Sequence, residues 1–203
     1  MRHGLVATAS ALLALAAGAE ATAFAAPQSA AGGASVYVSQ IGDGNRSVVR
    51  QAQAAVGNTA SIVQNGDGND ALIEQRTGAQ IGGIVQTGEA NLASIVQDGG
   101  SGNLAQVVQT GSQNQAAISQ MSATAQNTAI AIQTGERNLA AVDQTGSGNT
   151  ALLAQTGADN RMQVDQTGDG NTLIWTQTGS NLAAPSVQMP GGQTLTIHQL
   201  GMR

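Results

Sequence analysis

The chain has 203 residues, three of them aromatic (Phe24, Tyr37 and Trp175), with 24 Gln, 27 Gly and neither Lys nor Cys. Much of its 41% hydrophobic content is Ala, so a conventional core of Leu and Phe is excluded, and 9% charged residues are too few for a solvated disordered chain or a charge-laced coiled coil. Seven Arg in a chain of net charge −5 cannot build a basic patch, which excludes nucleic acid as a partner.

Residues 1–25 read as a secretory signal peptide. Arg2 and His3 give the positive start, Leu5 to Ala19 the apolar stretch, and Ala23-Phe24-Ala25 the small-x-small pattern for cleavage before Ala26. Glu20 interrupts the run before it reaches the roughly 20 apolar residues of a membrane span. A short linker, 26–34, follows.

From residue 35 to 199 the chain is one repeat, and 200–203 is a short tail. Gln recurs in steps of eleven residues, and Q-x-G-x-x-N appears in full eight times, starting at Gln40, Gln64, Gln86, Gln109, Gln133, Gln144, Gln155 and Gln166. The T-G-x-x half of each step carries Gly with Asp, Ser or Asn, residues suited to tight turns. The half from Asn to Gln alternates with period two, as a strand does. In Asn91-Leu92-Ala93-Ser94-Ile95-Val96-Gln97, one face holds Asn91, Ala93, Ile95 and Gln97. Charge falls on the opposite face, at Asp70, Glu74, Asp143 and Asp165, so the Asn-Ala-Ile/Val-Gln face is the inner one. A Gly in every step excludes helix.

Two steps make one coil of 22 residues, and stacked coils predict an all-β, two-sheet β-solenoid of cross-β type with strands about 4.8 Å apart. Roughly seven coils give a stack on the order of 35 Å tall. Strands ending at Gln40, 64, 86, 109, 133, 155, 177 and 199 form one sheet; those ending at Gln51, 75, 97, 120, 144, 166 and 188 form the other. Each amide then lies over its equivalent in the next coil and can hydrogen-bond along the stack. The expected self-assembly ladder is Gln40, Asn45, Gln51, Gln64, Asn69, Gln75, Gln86, Asn91, Gln97, Asn103, Gln109, Asn114, Gln120, Gln133, Asn138, Gln144, Asn149, Gln155, Asn160, Gln166, Asn171 and Gln177. Asp43, Asp67 and Asp169 place carboxylates in turns, where they act as gatekeepers against association. Pro185, in the last strand of its sheet, blunts that edge, as does the extra residue between Asn181 and Gln188.

The pattern Q-x-G-x-x-N-x-A-x-x-x-Q, in paired units behind a signal peptide, resembles the curlin repeats of curli, the extracellular amyloid fibres of Gram-negative bacteria. The resemblance spans residues 35–199; Gln40 to Asn45 and Gln144 to Asn149 carry it well. Departures are Gln80 for Asn, Gly82 for Ala, one extra turn residue after Gln97 and two in Met121 to Gln126. The resemblance implies export through the periplasm and a dedicated outer-membrane pore. It also implies a companion subunit and polymerisation with copies of itself at the cell surface, for adhesion and biofilm matrix.

Catalysis lacks material. After signal cleavage His198 is the sole His, and with no Cys neither a triad nor a thiolate metal site can be built. No cofactor is expected. The Gly-Asp-Gly-Asn turns at 42–45, 66–69 and 168–171 lack the in-phase Asp of calcium-binding solenoids. The alternative from another class is an ice- or carbohydrate-binding solenoid, suggested by Thr87, Thr110, Thr134, Thr145, Thr156, Thr167 and Thr178. Against it stand Arg50, Glu74, Arg161 and Asp165 on the exposed faces.

Overall fold

A computed structural model describes residues 10–15, 20–25, 33–52, 57–100, 102–122 and 124–201. Among these residues the chain forms two parallel sheets wound as one β-solenoid. Sheet A holds the odd-numbered strands: β1 (Ser10–Leu15), β3 (Ser35–Ile41), β5 (Thr59–Asn65), β7 (Ile81–Glu89), β9 (Leu104–Ser112), β11 (Thr128–Glu136), β13 (Thr150–Ala158), β15 (Thr172–Ser180) and β17 (Thr194–Leu200). Sheet B holds the even ones: β2 (Glu20–Ala25), β4 (Arg46–Gln51), β6 (Asp70–Gln75), β8 (Leu92–Asp98), β10 (Gln115–Met121), β12 (Leu139–Thr145), β14 (Arg161–Thr167) and β16 (Val187–Met189). Strands follow chain order in each sheet, so every coil pairs only with the coils before and after it.

Register is in phase with the repeat. Gln64 lies opposite Gln40 and Gln86, and Gln120 opposite Gln97 and Gln144. The burial alternation is that of half-buried strands, with the Ala-Ile/Val-Gln positions inside. Most strands bury two small or branched side chains, commonly Ala with Ile or Val, which makes a thin core. Larger side chains enter only near the C-terminal end, as Met162, Leu173, Trp175 and Met189.

The backbone of β1 and β2, within the expected signal peptide, continues both sheets by one coil and pairs with β3 and β4. The expected cleavage point before Ala26 lies outside the described residues.

Three details differ from expectation. First, β7, β9, β11, β13 and β15 are nine residues long, because pairing continues through the first turn residues. The corner is correspondingly tight, and five non-glycine residues there (Ala90, Gln113, Arg137, Asp159 and Asn181) have φ between 52° and 58°. Each costs on the order of 1–2 kcal/mol in that conformation, offset by a backbone bond to the preceding coil, as from Ala90 N to Asp67 O at 2.9 Å. Second, the extra residue before Gln188 is not absorbed as a bulge. The strand shrinks to three residues, Pro185 falls outside it, and Met189 instead of Gln188 comes into line with Gln166. Third, the charges on the broad faces between the corners are not shared between the sheets. Arg50, Glu74, Arg161 and Asp165 all belong to sheet B.

Candidate functional site

Every residue of the expected ladder is buried, none more than 4% exposed. The amides form four columns, two of Gln inside the sheets and two at the corners that are Asn except for Gln80, where one of them is interrupted.

In sheet A, Nε2 of Gln40 donates to Oε1 of Gln64 (2.6 Å), and the same bond repeats from Gln64 to Gln86, Gln109, Gln133, Gln155, Gln177 and Gln199 at 2.7–2.9 Å. In sheet B it runs from Gln51 through Gln75, Gln97, Gln120 and Gln144 to Gln166 at 2.7–2.9 Å. The second proton of each Nε2 crosses to the other sheet. Gln86 donates to Asp70 O (3.1 Å) and Gln144 to Thr128 O (3.0 Å). A Gln thus ties its own coil together while bonding the next, which is why an amide fits where an apolar side chain would normally sit.

The Asn columns work differently. Oδ1 of Asn69 accepts from the backbone N of Asn91, and Nδ2 of Asn69 donates to Gly88 O of the next turn at 2.8 Å. That geometry repeats at Asn114, Asn138 and Asn160 on one corner, and at Asn127, Asn149 and Asn171 on the other. Each Asn therefore satisfies a turn whose carbonyls face inward. Gly is required beside it: a Cβ on Gly88 or Gly111 would overlap the carbonyl oxygen of the equivalent Gly one coil on.

Asn58 and Asn127 are buried members that the eleven-residue count passes over, because irregular steps lie next to each, and Gln80 stands buried at the Asn position between Asn58 and Asn103. Gln80 is one methylene too long. Its N donates to Asn58 Oδ1 (2.8 Å) and its Nε2 to Gly99 O (2.9 Å), but its Oε1 has no partner, and neither does Asn58 Nδ2.

At the C-terminal end, Gln166 keeps its bond to Thr150 O (3.0 Å) but toward the next coil makes only a 3.6 Å contact with Met189 Sδ, so the sheet B column stops in a thioether. In sheet A the column ends on Gln199, whose Oε1 accepts from Gln177 and also from Trp175 Nε1 at 3.0 Å. Trp175 is fully buried, with Ala184, Val187 and Ile197 against the same core, where the regular sheet B strand is missing. At the other end, Gln40 Oε1 and Gln51 Oε1 are buried and without a partner among the described residues. The residues of β1 and β2 in register with them are Leu15 and Ala25, which carry no amide.

The gatekeeper residues divide. Asp67 Oδ1 accepts from Asp43 N, and Asp169 Oδ1 from Ser147 N, both at 2.8 Å, so two of the three carboxylates bridge adjacent turns. The outer face of sheet B carries cross-coil ion pairs such as Arg46–Asp70 at 2.9 Å, and the corner carries Arg137–Asp159 at 2.8 Å. Arg137 holds the Asp159 carboxyl below its ordinary range. Asp143 is pushed up, first by burial and then by Asp165 in the next coil, against a hydrogen bond from Ser119. His198 lies exposed, its Nδ1 2.7 Å from Thr176 Oγ1. Among the described residues no group of three or more His, Cys, Asp or Glu is placed to hold a metal ion.

The family model of the curlin associated repeat matches residues 82–111, 124–157 and 135–168. The last two matches overlap, and over the matched residues the coils are similar to the curlin associated repeat, a structural, non-enzymatic family of extracellular curli components of Gram-negative bacteria. No curated protein matches the chain.

Proposed function

We propose that this chain of curlin repeats is a secreted structural subunit that polymerises end to end into cross-β fibres at the cell surface, serving adhesion and the biofilm matrix. The observation that carries this reading is the open N-terminal end of the amide columns. Gln40 Oε1 and Gln51 Oε1 stand in register with seven and five further Gln, respectively, yet have nothing to accept from among the described residues. Removal of residues 1–25 as a signal peptide takes β1 and β2 with it and leaves β3 and β4 as bare edges. An edge with unpaired backbone groups and amides is a template on which an incoming chain can order its own coils. A companion curlin subunit, passage through a dedicated pore and a location outside a Gram-negative cell belong to the same proposal, on the strength of the repeat.

The ice-binding alternative loses support for a reason other than charge. The main Thr columns of sheet A, at Thr128/Thr150/Thr172 and Thr134/Thr156/Thr178, lie six residues apart, or about 20 Å, with apolar columns between them. Only β15 sets two outward Thr two residues apart in those coils, at Thr176 and Thr178, and its neighbour β13 has Ala154 beside Thr156, so no paired rank runs from coil to coil.

The test is incubation of the chain lacking residues 1–25, followed by thioflavin fluorescence and fibre diffraction. A meridional reflection at about 4.7 Å is the expected result. A chain that stays monomeric and gives no such reflection after prolonged incubation overturns the reading.

A further inference from the structure

The two broad sides of the solenoid are chemically unlike, a property separate from its open ends. Each repeat strand of sheet A from β3 to β17 presents four outward positions between the corners, and none carries a charged residue. Glu89 and Glu136 close β7 and β11 in the corner, beyond those positions. Sheet B shows the reverse, with Arg50 and Glu74 in register on neighbouring strands and Asp143 and Asp165 likewise. Six of the nine large hydrophobic side chains exposed among the described residues point outward from sheet A, including Tyr37, Ile132 and Ile174. The two central outward columns are mostly apolar through β11 and β13, where Ile130 and Ile132 lie beside Leu152 and Ala154, and Thr lines both margins there. An apolar centre within a hydroxyl rim is the layout of a protein interface.

We propose that the outer face of sheet A is a lateral docking surface for a second copy of this chain, face to face about a twofold axis. Two observations select that occupant. A face without charge meets its own copy without placing like charges together, whereas self-pairing through sheet B would bring its Asp column against another acidic surface. The area is also sufficient. Eight strands at about 4.8 Å and seven residues at about 3.3 Å give a footprint of roughly 900 Å². That is close to the roughly 800 Å² per partner of a standard stable interface. A twofold axis through the face makes the contact self-complementary and closed. In a polymer the face repeats along its length, so weak contacts add. The pairing concerns the sides of the stack and stands whether or not its ends polymerise.

The chain has no Cys, so single substitutions report contacts cleanly. Ile132→Cys places a thiol at the centre of the face, and Ser119→Cys places one on sheet B. With residues 1–25 removed, bismaleimide treatment of Ile132→Cys is expected to give at least tenfold more cross-linked dimer than Ser119→Cys, in soluble and polymerised protein alike. Ile132→Glu with Ile174→Glu is expected to turn paired filaments into single ones in micrographs while elongation stays within about twofold. Gln163→Glu with Ser94→Glu, the same charge on sheet B, is expected to leave them paired. Equal cross-linking at both thiols overturns the proposal, as does persistence of pairs in the sheet A variant. So does binding of the sheet A face to zwitterionic lipid vesicles or to ice without any cross-link. Failure to polymerise at all counts against the fibre reading alone, because the soluble cross-linking still decides this one.

Discussion

Gln109 gives the sharpest test of the ladder, since it is fully buried in the middle of the sheet A column. Gln109→Ala deletes three hydrogen bonds: the one it accepts from Gln86 (2.8 Å) and those it donates to Gln133 (2.8 Å) and Leu92 O (3.0 Å). Gln133 Oε1 then has no donor, a buried orphan costing about 1–3 kcal/mol, and Gln86 Nε2 loses one of two acceptors, about 1 kcal/mol more. The void left by the truncated side chain adds about 1 kcal/mol. The sum, about 3–5 kcal/mol, is a large part of the total stability of an ordinary domain. Gln106→Ala, on the exposed side of the same strand, should change stability by less than about 0.5 kcal/mol. Urea midpoints of the soluble chain without residues 1–25 measure the first effect, and seeded elongation rates its consequence. Equal shifts for Gln106→Ala and Gln109→Ala, or for the corresponding pair Gln163→Ala and Gln166→Ala, would refute the assignment of the amides as the stack's internal bonding.

Four further outcomes follow from particular contacts. Asp143 is raised in the folded chain by burial and by Asp165. The folded state therefore binds its proton more readily than the unfolded one, and this site adds stability as pH falls through the folded value and loses it as pH rises. Urea midpoints should accordingly drop across the carboxylate range upward, more for the parent than for Asp143→Asn; identical slopes would remove the effect. Gln80→Asn shortens the one overlong member of its corner column and should stabilise by about 1 kcal/mol through the partners that Gln80 Oε1 and Asn58 Nδ2 lack; an unchanged midpoint would count against it. Asp67→Asn and Asp169→Asn retain an acceptor for Asp43 N and Ser147 N while removing a charge, so the polymerisation lag should shorten, and a constant lag would end the gatekeeper idea. Met189→Gln offers Gln166 Nε2 an oxygen in place of a sulfur at 3.6 Å and should raise the thermal midpoint, an expectation that any fall would contradict.

The repeat made most of this architecture legible. Gln, Gly and Asn held in phase over 160 residues give the strands, their inner faces, the division between sheets and the identity of the ladder, because identical coils admit only one stacking register. What escaped lies where the count breaks. Asn58 and Asn127 were hidden by insertions beside them, and Gln188 was aligned by its letter, although the residue in register with Gln166 is Met189. The roles of the amides were also only half visible. Their cross-links to the opposite sheet, and the caps that Asn forms over inward carbonyls, depend on where main-chain oxygens point, and a sequence pattern does not carry that. Charge segregation was in principle readable, since odd and even strands were already assigned.

The amide columns have a direction that sets the terms of any end-to-end contact. Every sheet Gln donates toward the C-terminal end and accepts from the N-terminal side. With residues 1–25 removed, the N-terminal edge exposes acceptors, at Gln40 and Gln51, and a partner must bring donors. Two N-terminal edges placed together would set acceptor against acceptor, and relieving that would require inverting whole columns of buried amides, each held by a second bond to the opposite sheet. The C-terminal edge brings a donor in sheet A, where Trp175 and Gln177 hold Gln199 by its oxygen and leave the nitrogen at the end of the column. In sheet B it brings Met189, which has none to offer, behind a strand of three residues and beside Pro190. A head-to-tail junction is thus continuous in one sheet and interrupted in the other. The interruption leaves Gln51 Oε1 without a donor at every such junction, so those junctions, not the coils within a subunit, are the weakest points of a fibre built from this chain alone.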